Sequence, residues 1–218
     1  MSTNGSDPSA DVETGRLRLV LATANPDKAT EISDIFTGIA GDKIELLARP
    51  EAAGEVDETG ETLEENARLK AWTLVTLTGM PAVADDTGLE VEALHGAPGV
   101  HSSRYSGMHA TYDENVTKLL SELESAGART ETERRARFRT VAVACFPDGR
   151  EVLADGVVQG AIALERRGTG GFGYDPVFVP EGDRRTFAEM APSEKHALSH
   201  RGRAFRALAV GLSAELGL

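Results

Sequence analysis

Residues 136–164 read ARFRTVAVACFPDGREVLADGVVQGAIAL, and this stretch decides the fold class. Residues 136–146 and 152–164 are extended apolar runs, and Pro147-Asp148-Gly149 between them has the composition of a tight turn. The pair predicts a hairpin. Upstream, residues 17–22 (LRLVLA) predict a buried strand, and Asn25-Pro26 then opens a helix that places Ile32, Ile35 and Phe36 on one face. A strand–turn–helix unit belongs to parallel sheets and a hairpin to antiparallel ones, so the expected class is a mixed α/β sheet rather than a doubly wound parallel one.

Working outward, residues 62–77 predict a second helix with Leu63, Ala67, Ala71 and Leu74 as its buried stripe. Asn66 and Lys70, four apart, project together from it. Residues 81–84 predict a short strand ending at Asp85-Asp86, after which Thr87-Gly88 turns the chain into another short strand, 89–91. Residues 112–123 predict an amphipathic helix, 177–179 a strand and 201–216 a closing helix. Residues 1–15 are polar and without hydrophobic period, which predicts a disordered tail; residues 16–218 read as one domain.

The net charge of −12 across 218 residues disfavours attraction of DNA or RNA. The sequence lacks an apolar run of membrane-spanning length and a basic, apolar leader pattern at its start, which predicts a cytoplasmic protein with no membrane partner. Cys145, the single cysteine, lies in the apolar run VAVACF and is expected as a buried strand thiol. His196 and His200 are four apart, a spacing that could serve a metal, but there is neither an intervening Glu nor a cysteine partner. Arg134 to Arg139 reads as a charged strand entrance, and Trp72 as packing.

Three separated stretches carry chemistry suited to a nucleotide. Thr23-Ala24-Asn25-Pro26-Asp27-Lys28 places a hydroxyl, an amide and a lysine at a strand-to-helix turn, where backbone N–H groups and an ammonium can meet phosphate. The same residues read equally as an N-cap. Ala84-Asp85-Asp86-Thr87-Gly88 offers paired carboxylates, of which alternation sends one into a cleft, though its composition is also that of an ordinary turn. Among the upstream carboxylates Asp57, Glu58, Glu64 and Glu65, further oxygen donors for Mg²⁺ are available, with Glu64 read as part of a solvated helix face. Gly168-Thr169-Gly170-Gly171-Phe172-Gly173-Tyr174-Asp175-Pro176 matches G-x-G-x-x-G but leads into a strand, which excludes a dinucleotide fingerprint. It is either a linker or a loop that brings backbone close to a ligand beside Phe172.

With these residues in view, the sequence resembles the inosine triphosphate pyrophosphatase family, enzymes that remove non-standard purine nucleoside triphosphates. The resemblance runs from about Leu17 to the C-terminal helix. It rests on Glu58-Thr59-Gly60 with Thr62 and Glu65-Asn66-Ala67, on Ala84 to Leu89, on Gly96-Ala97-Pro98-Gly99-Val100 with Ser103-Arg104-Tyr105-Ser106-Gly107, on Gly168 to Pro176, and on Ser199-His200-Arg201-Gly202. It is most similar to the bacterial branch acting on XTP, ITP and dITP. The resemblance implies an elongated, strongly twisted mixed sheet with flanking helices in two lobes around a central cleft, a homodimer, and Mg²⁺ as cofactor.

Carried over by motif, it implies that Thr23, Ala24, Asn25, Pro26, Asp27 and Lys28 hold the triphosphate. Asp86 is then proton acceptor and metal ligand, with Asp57 or Glu58 as the second ligand, and Lys28 and Lys70 add positive charge. Thr87 touches substrate, and Phe172, Gly173, Tyr174, Asp175, Lys195, His200 and Arg201 form the base and sugar pocket. The expected reaction releases pyrophosphate from ITP, dITP or XTP. Two other readings remain at this level: a related pyrophosphatase preferring pyrimidine or modified bases, and a nucleotide-binding module without turnover.

Overall fold

The computed structural model describes residues 16–40 and 43–216. The expected tail, 1–15, lies outside them. Among the described residues a seven-stranded mixed sheet is flanked by five α-helices, with strand order β2-β1-β3-β5-β6-β7 and β4 beside β3. Its strands are β1 (Leu17–Leu21), β2 (Ile44–Leu47), β3 (Ala82–Val91), β4 (Pro98–Gly99), β5 (Arg135–Cys145), β6 (Glu151–Ile162) and β7 (Phe178–Pro180). The helices are α1 (Pro26–Ala40), α2 (Leu63–Thr78), α3 (Tyr112–Ser125), α4 (Pro192–Leu198) and α5 (His200–Leu216). No helix among the described residues is long and apolar enough to cross a membrane.

The chain folds into two compact units. The first holds the described residues through Asp86, Val141–Ala154, and those from Phe205 onward. Here β1 pairs in parallel with both β2 (Leu17 opposite Ile44) and β3 (Val20 opposite Ala82). Parallel neighbours need a crossover, and α1 and α2 supply it. The expected stripe of α1 is buried at Ile32, Ile35 and Phe36, and the Phe36 ring meets Phe205 edge-on at 5.3 Å. Helix α2 begins in a capping box, with Thr62 Oγ1 accepting from Glu65 N and Glu65 Oε2 from Thr62 N, and it ends at Gly79 in the left-handed region, φ 68°. Its stripe Leu63, Ala67, Ala71 and Leu74 is buried as expected, and Asn66 and Lys70 are buried with it.

The second unit holds Thr87–Thr140 and Asp155–Ala204. Its core gathers Leu89 and Val91, Val116, Leu119 and Leu123 of α3, Phe138, Ile162, Tyr174, Phe178 and Phe187. The strands β6 and β7 are antiparallel, Ala161 opposite Val179. Arg134 stands at the entrance to β5, as expected. It is buried, and its guanidinium donates to the Ala128 and Ala163 carbonyls at 2.8 and 3.0 Å, which satisfies backbone that packing would otherwise leave bare. Arg137 and Arg139 follow the expectation and pair with Glu90 and Asp155.

The predicted hairpin is present. Five residues join β5 and β6, too few for a parallel crossover, and the turn closes with Gly149 N donating to the Phe146 carbonyl at 2.9 Å. One expectation fails. The chain does not turn at Thr87-Gly88, because β3 runs unbroken from Ala82 to Val91. Lying between β1 and β5, it finds partners on both sides, and this tertiary pairing outweighs a composition suited to a turn. Strand β2 and the short helix α4 were not foreseen, since four and seven residues carry too little periodicity.

Candidate active site

In the first unit, β1 ends where the Thr23–Lys28 turn begins. Asn25 caps α1, its Oδ1 accepting from Asp27 N at 2.9 Å and Lys28 N at 3.2 Å, while Thr23 Oγ1 accepts from Asn25 N at 3.1 Å. The N-cap reading therefore holds. Ala24, Pro26 and Asp27 are exposed, and the turn borders a cavity of about 560 Å³ that Arg49 also lines. The Lys28 ammonium lies 3.4 Å from Asp85 Oδ2.

Alternation along β3 gives the two aspartates different neighbours. Asp85 meets Lys28 of α1, whereas Asp86 Oδ1 lies 2.7 Å from Lys70 Nζ of α2. Lys70 also reaches Glu58 Oε1 at 3.1 Å. Asn66, one helical turn before Lys70, places Nδ2 3.4 Å from Asp86 Oδ2 and accepts from Gly60 N at 2.8 Å. Gly60 is required there: a Cβ would fall 2.7 Å from Asn66 Oδ1. Of the two upstream carboxylates, Glu58 joins the cluster, whereas Asp57 is exposed.

The electrostatics of this cluster are those of a dry site. Burial pushes the Asp86 carboxyl above the usual aspartate range, although Lys70 and Lys28 oppose the shift. Burial would lower the Lys70 ammonium, but Asp86, then Glu58 and Asp85, outweigh it and hold Lys70 above its ordinary value. Three carboxylates, Glu58, Asp85 and Asp86, pair with the ammoniums of Lys28 and Lys70, and carboxylate oxygens are the donors Mg²⁺ prefers. The residues fit that ion. Among the described residues no group of three or more His, Cys, Asp or Glu is gathered as a metal site.

In the second unit, the glycine segment joins β6 to β7, as expected. Asp175 Oδ2 accepts from Phe172 N at 2.8 Å and from Lys195 Nζ at 2.6 Å, and both charged residues are buried. Gly171, at φ 69°, permits this: a Cβ would lie 2.0 Å from Asp175 Oδ2. Tyr174 turns inward and donates to the Ser102 carbonyl at 2.9 Å, so the segment Gly96 to Gly107 supports the loop. Phe172 is half-buried, with Lys195 Nζ 4.9 Å and Arg201 Cζ 5.5 Å from its ring centre.

Arg201 Nη2 donates to Thr87 Oγ1 at 3.2 Å, and Thr87 shares a hydroxyl contact of 2.7 Å with Thr140, a residue the sequence did not single out. His200 stacks on Phe138 at 4.4 Å and 16°. Its spacing from His196 carries no metal geometry, because Ser199 separates α4 from α5 and caps the latter, accepting from Gly202 N at 3.0 Å. The carboxylate–ammonium cluster lies in the first unit and the aromatic–cationic cluster in the second.

Comparison with known proteins shows the family. A family model described as the Ham1 family matches residues 19–210. The chain belongs to the Ham1 family. It is 46% identical over 193 residues to the dITP/XTP pyrophosphatase of Streptomyces avermitilis, covering 88% of this chain and 94% of that one. It is 47% identical over 191 residues to the protein of the same name from Geobacter sulfurreducens, with coverages of 88% and 94%. Among solved structures, a HAM1 protein from Coxiella burnetii superposes with a TM-score of 0.81 at 40% identity, covering 91% of this chain and 99% of that chain. The resemblance drawn from the motifs is confirmed at the level of family and of mixed α+β fold.

Proposed function

We propose that this Ham1-family chain hydrolyses non-standard purine nucleoside triphosphates, ITP, dITP and XTP, to monophosphate and pyrophosphate. The observation that carries the reading is the buried Asp86–Lys70–Glu58 cluster in a chain whose relatives are named dITP/XTP pyrophosphatases. Asp86 accepts a proton from water as its oxygen bonds to the α-phosphorus; the bond from that phosphorus to the bridging oxygen breaks, and pyrophosphate departs. Burial, by raising the Asp86 carboxyl, makes it a better base than a free aspartate. Lys28 and Lys70 stabilise the developing charge. Mg²⁺ bound to Asp86 and Glu58 would offset negative charge on the leaving group.

The second cluster takes the base. Phe172 stacks on it without distinguishing purines, whereas donors from Lys195, His200 and Arg201 meet a 6-oxo group. An adenine amino group there leaves donors unpaired, a mismatch that reaches about 10⁴–10⁵ in kcat/KM in sites built to hydrogen-bond their substrate. The deciding experiment is pyrophosphate release across purine and pyrimidine triphosphates with and without Mg²⁺. ITP, dITP and XTP should lead and ATP trail by orders of magnitude. Stepwise orthophosphate release, or equal kcat/KM for ITP and ATP, overturns the reading. The family resemblance also supports a homodimer, which light scattering at micromolar protein tests.

A further inference from the structure

Helix α3 opens on Tyr112, a residue the sequence presents only as the start of an amphipathic helix. It stands one turn before Val116, on the face that carries Leu119 and Leu123, yet unlike those three it is 41% exposed. The ring lies 5.8 Å from that of Phe172, tilted by 38°. Two devices hold this arrangement. A capping box between Thr111 and Glu114 sets the first turn of α3, with Thr111 N donating to Glu114 Oε2 at 2.7 Å. Arg166, two residues before the glycine segment begins, then ties that turn to it, donating to the Asp113 carbonyl at 3.0 Å and to Thr117 Oγ1 at 2.7 Å. An exposed tyrosine on a helix surface would ordinarily be free to rotate; this one is aimed at the aromatic of the loop.

We propose that Tyr112 is a substrate-contacting residue, forming with Phe172 a two-ring seat for the flat base of the nucleotide. The inference rests on the function proposed above and assigns a residue to the base. With centroids 5.8 Å apart the two rings are packed against each other, and their 38° inclination makes one angled surface, on which a planar base lies along Phe172 and presents its edge to Tyr112, both favourable aromatic geometries. Every purine has such a face, so Tyr112 strengthens binding of all of them alike. Selection between 6-oxo and 6-amino purines is left to the cationic groups beyond Phe172.

The test compares Tyr112→Ala and Tyr112→Phe with the unmodified protein. In Tyr112→Ala, KM for ITP should rise about two- to tenfold, the range of an aromatic contact, with kcat within about twofold. The inhibition constant of IMP should rise in the same proportion, while that of pyrophosphate and the ITP-to-ATP preference stay unchanged. Tyr112→Phe should behave as the unmodified protein. Unchanged IMP inhibition in Tyr112→Ala overturns the seat, as does a parallel loss of pyrophosphate inhibition, which would mark general damage. Should the unmodified protein release no pyrophosphate from ITP, the proposed function fails; calorimetry with IMP then judges the seat alone, and it stands only if Tyr112→Ala weakens IMP binding.

Discussion

Replacing Lys70 by methionine tests whether the buried cluster is a charge device or merely well packed. Methionine keeps most of the volume on the buried face of α2 and removes the ammonium. Lys70 is 7% exposed and its Nζ lies 2.7 Å from Asp86 and 3.1 Å from Glu58, so its loss strands a buried carboxylate with little water to replace it. Breaking a buried pair in this way costs about 3–5 kcal/mol. For a chain of this length each kcal/mol lowers Tm by about 2–4 °C, so the melting temperature should fall by about 6–20 °C. Circular dichroism melts with and without millimolar MgCl₂ supply the control. A divalent ion can replace the missing positive charge, so Mg²⁺ should recover more Tm in Lys70→Met than in the unmodified protein. A Tm within about 2 °C of the unmodified value in the absence of metal would refute the reasoning, since it would mean that Asp86 had found solvent or a proton without cost.

Asp86→Asn keeps the shape at the same position and should lower kcat for ITP by about a hundredfold or more while KM moves only several-fold, measured by pyrophosphate release. Cys145 is buried on β5, and burial, aided by Glu151, pushes its thiol up to about 12. A neutral thiol is favoured by folding, so its contribution to stability is complete below the unfolded pKa of about 8.5 and is lost as pH rises through the folded value. Iodoacetamide at pH 8 should therefore label unfolded but not folded protein; rapid labelling of the native chain would contradict the burial. A Cβ at Gly156 would stand 2.1 Å from the His200 carbonyl oxygen and 2.4 Å from Ala204 N, both backbone atoms that cannot swing aside. Gly156→Ala should accordingly lower stability by at least about 1–3 kcal/mol in a denaturant titration, and an unchanged midpoint would show that β6 and α5 are less closely packed than the structure has them.

The mixed sheet and the first two helices were legible because each is a local pattern. The turn between β5 and β6 and the stripe Leu63-Ala67-Ala71-Leu74 declare themselves within a few residues. The three chemical stretches were also legible, since their residue types at strand ends and in a glycine loop are unusual for plain packing. What only the tertiary structure decided depends on distant chain. Thr87-Gly88 has a turn's composition yet stays extended, because β3 acquires neighbours on both sides. Glu58 and not Asp57 meets Lys70, because Asn66 anchors Gly60 and so sets which side chain of the loop turns toward α2. Arg134 reads as a charged strand entrance, but that it is buried against the Ala128 and Ala163 carbonyls shows only in the fold. Tyr112 shows nothing at its own position, and its meaning appears only when Phe172, sixty residues away, is placed 5.8 Å from its ring. Local sequence sets propensity and chemistry; which charges are buried together, and which ring faces which, follows from packing that no short window of sequence contains.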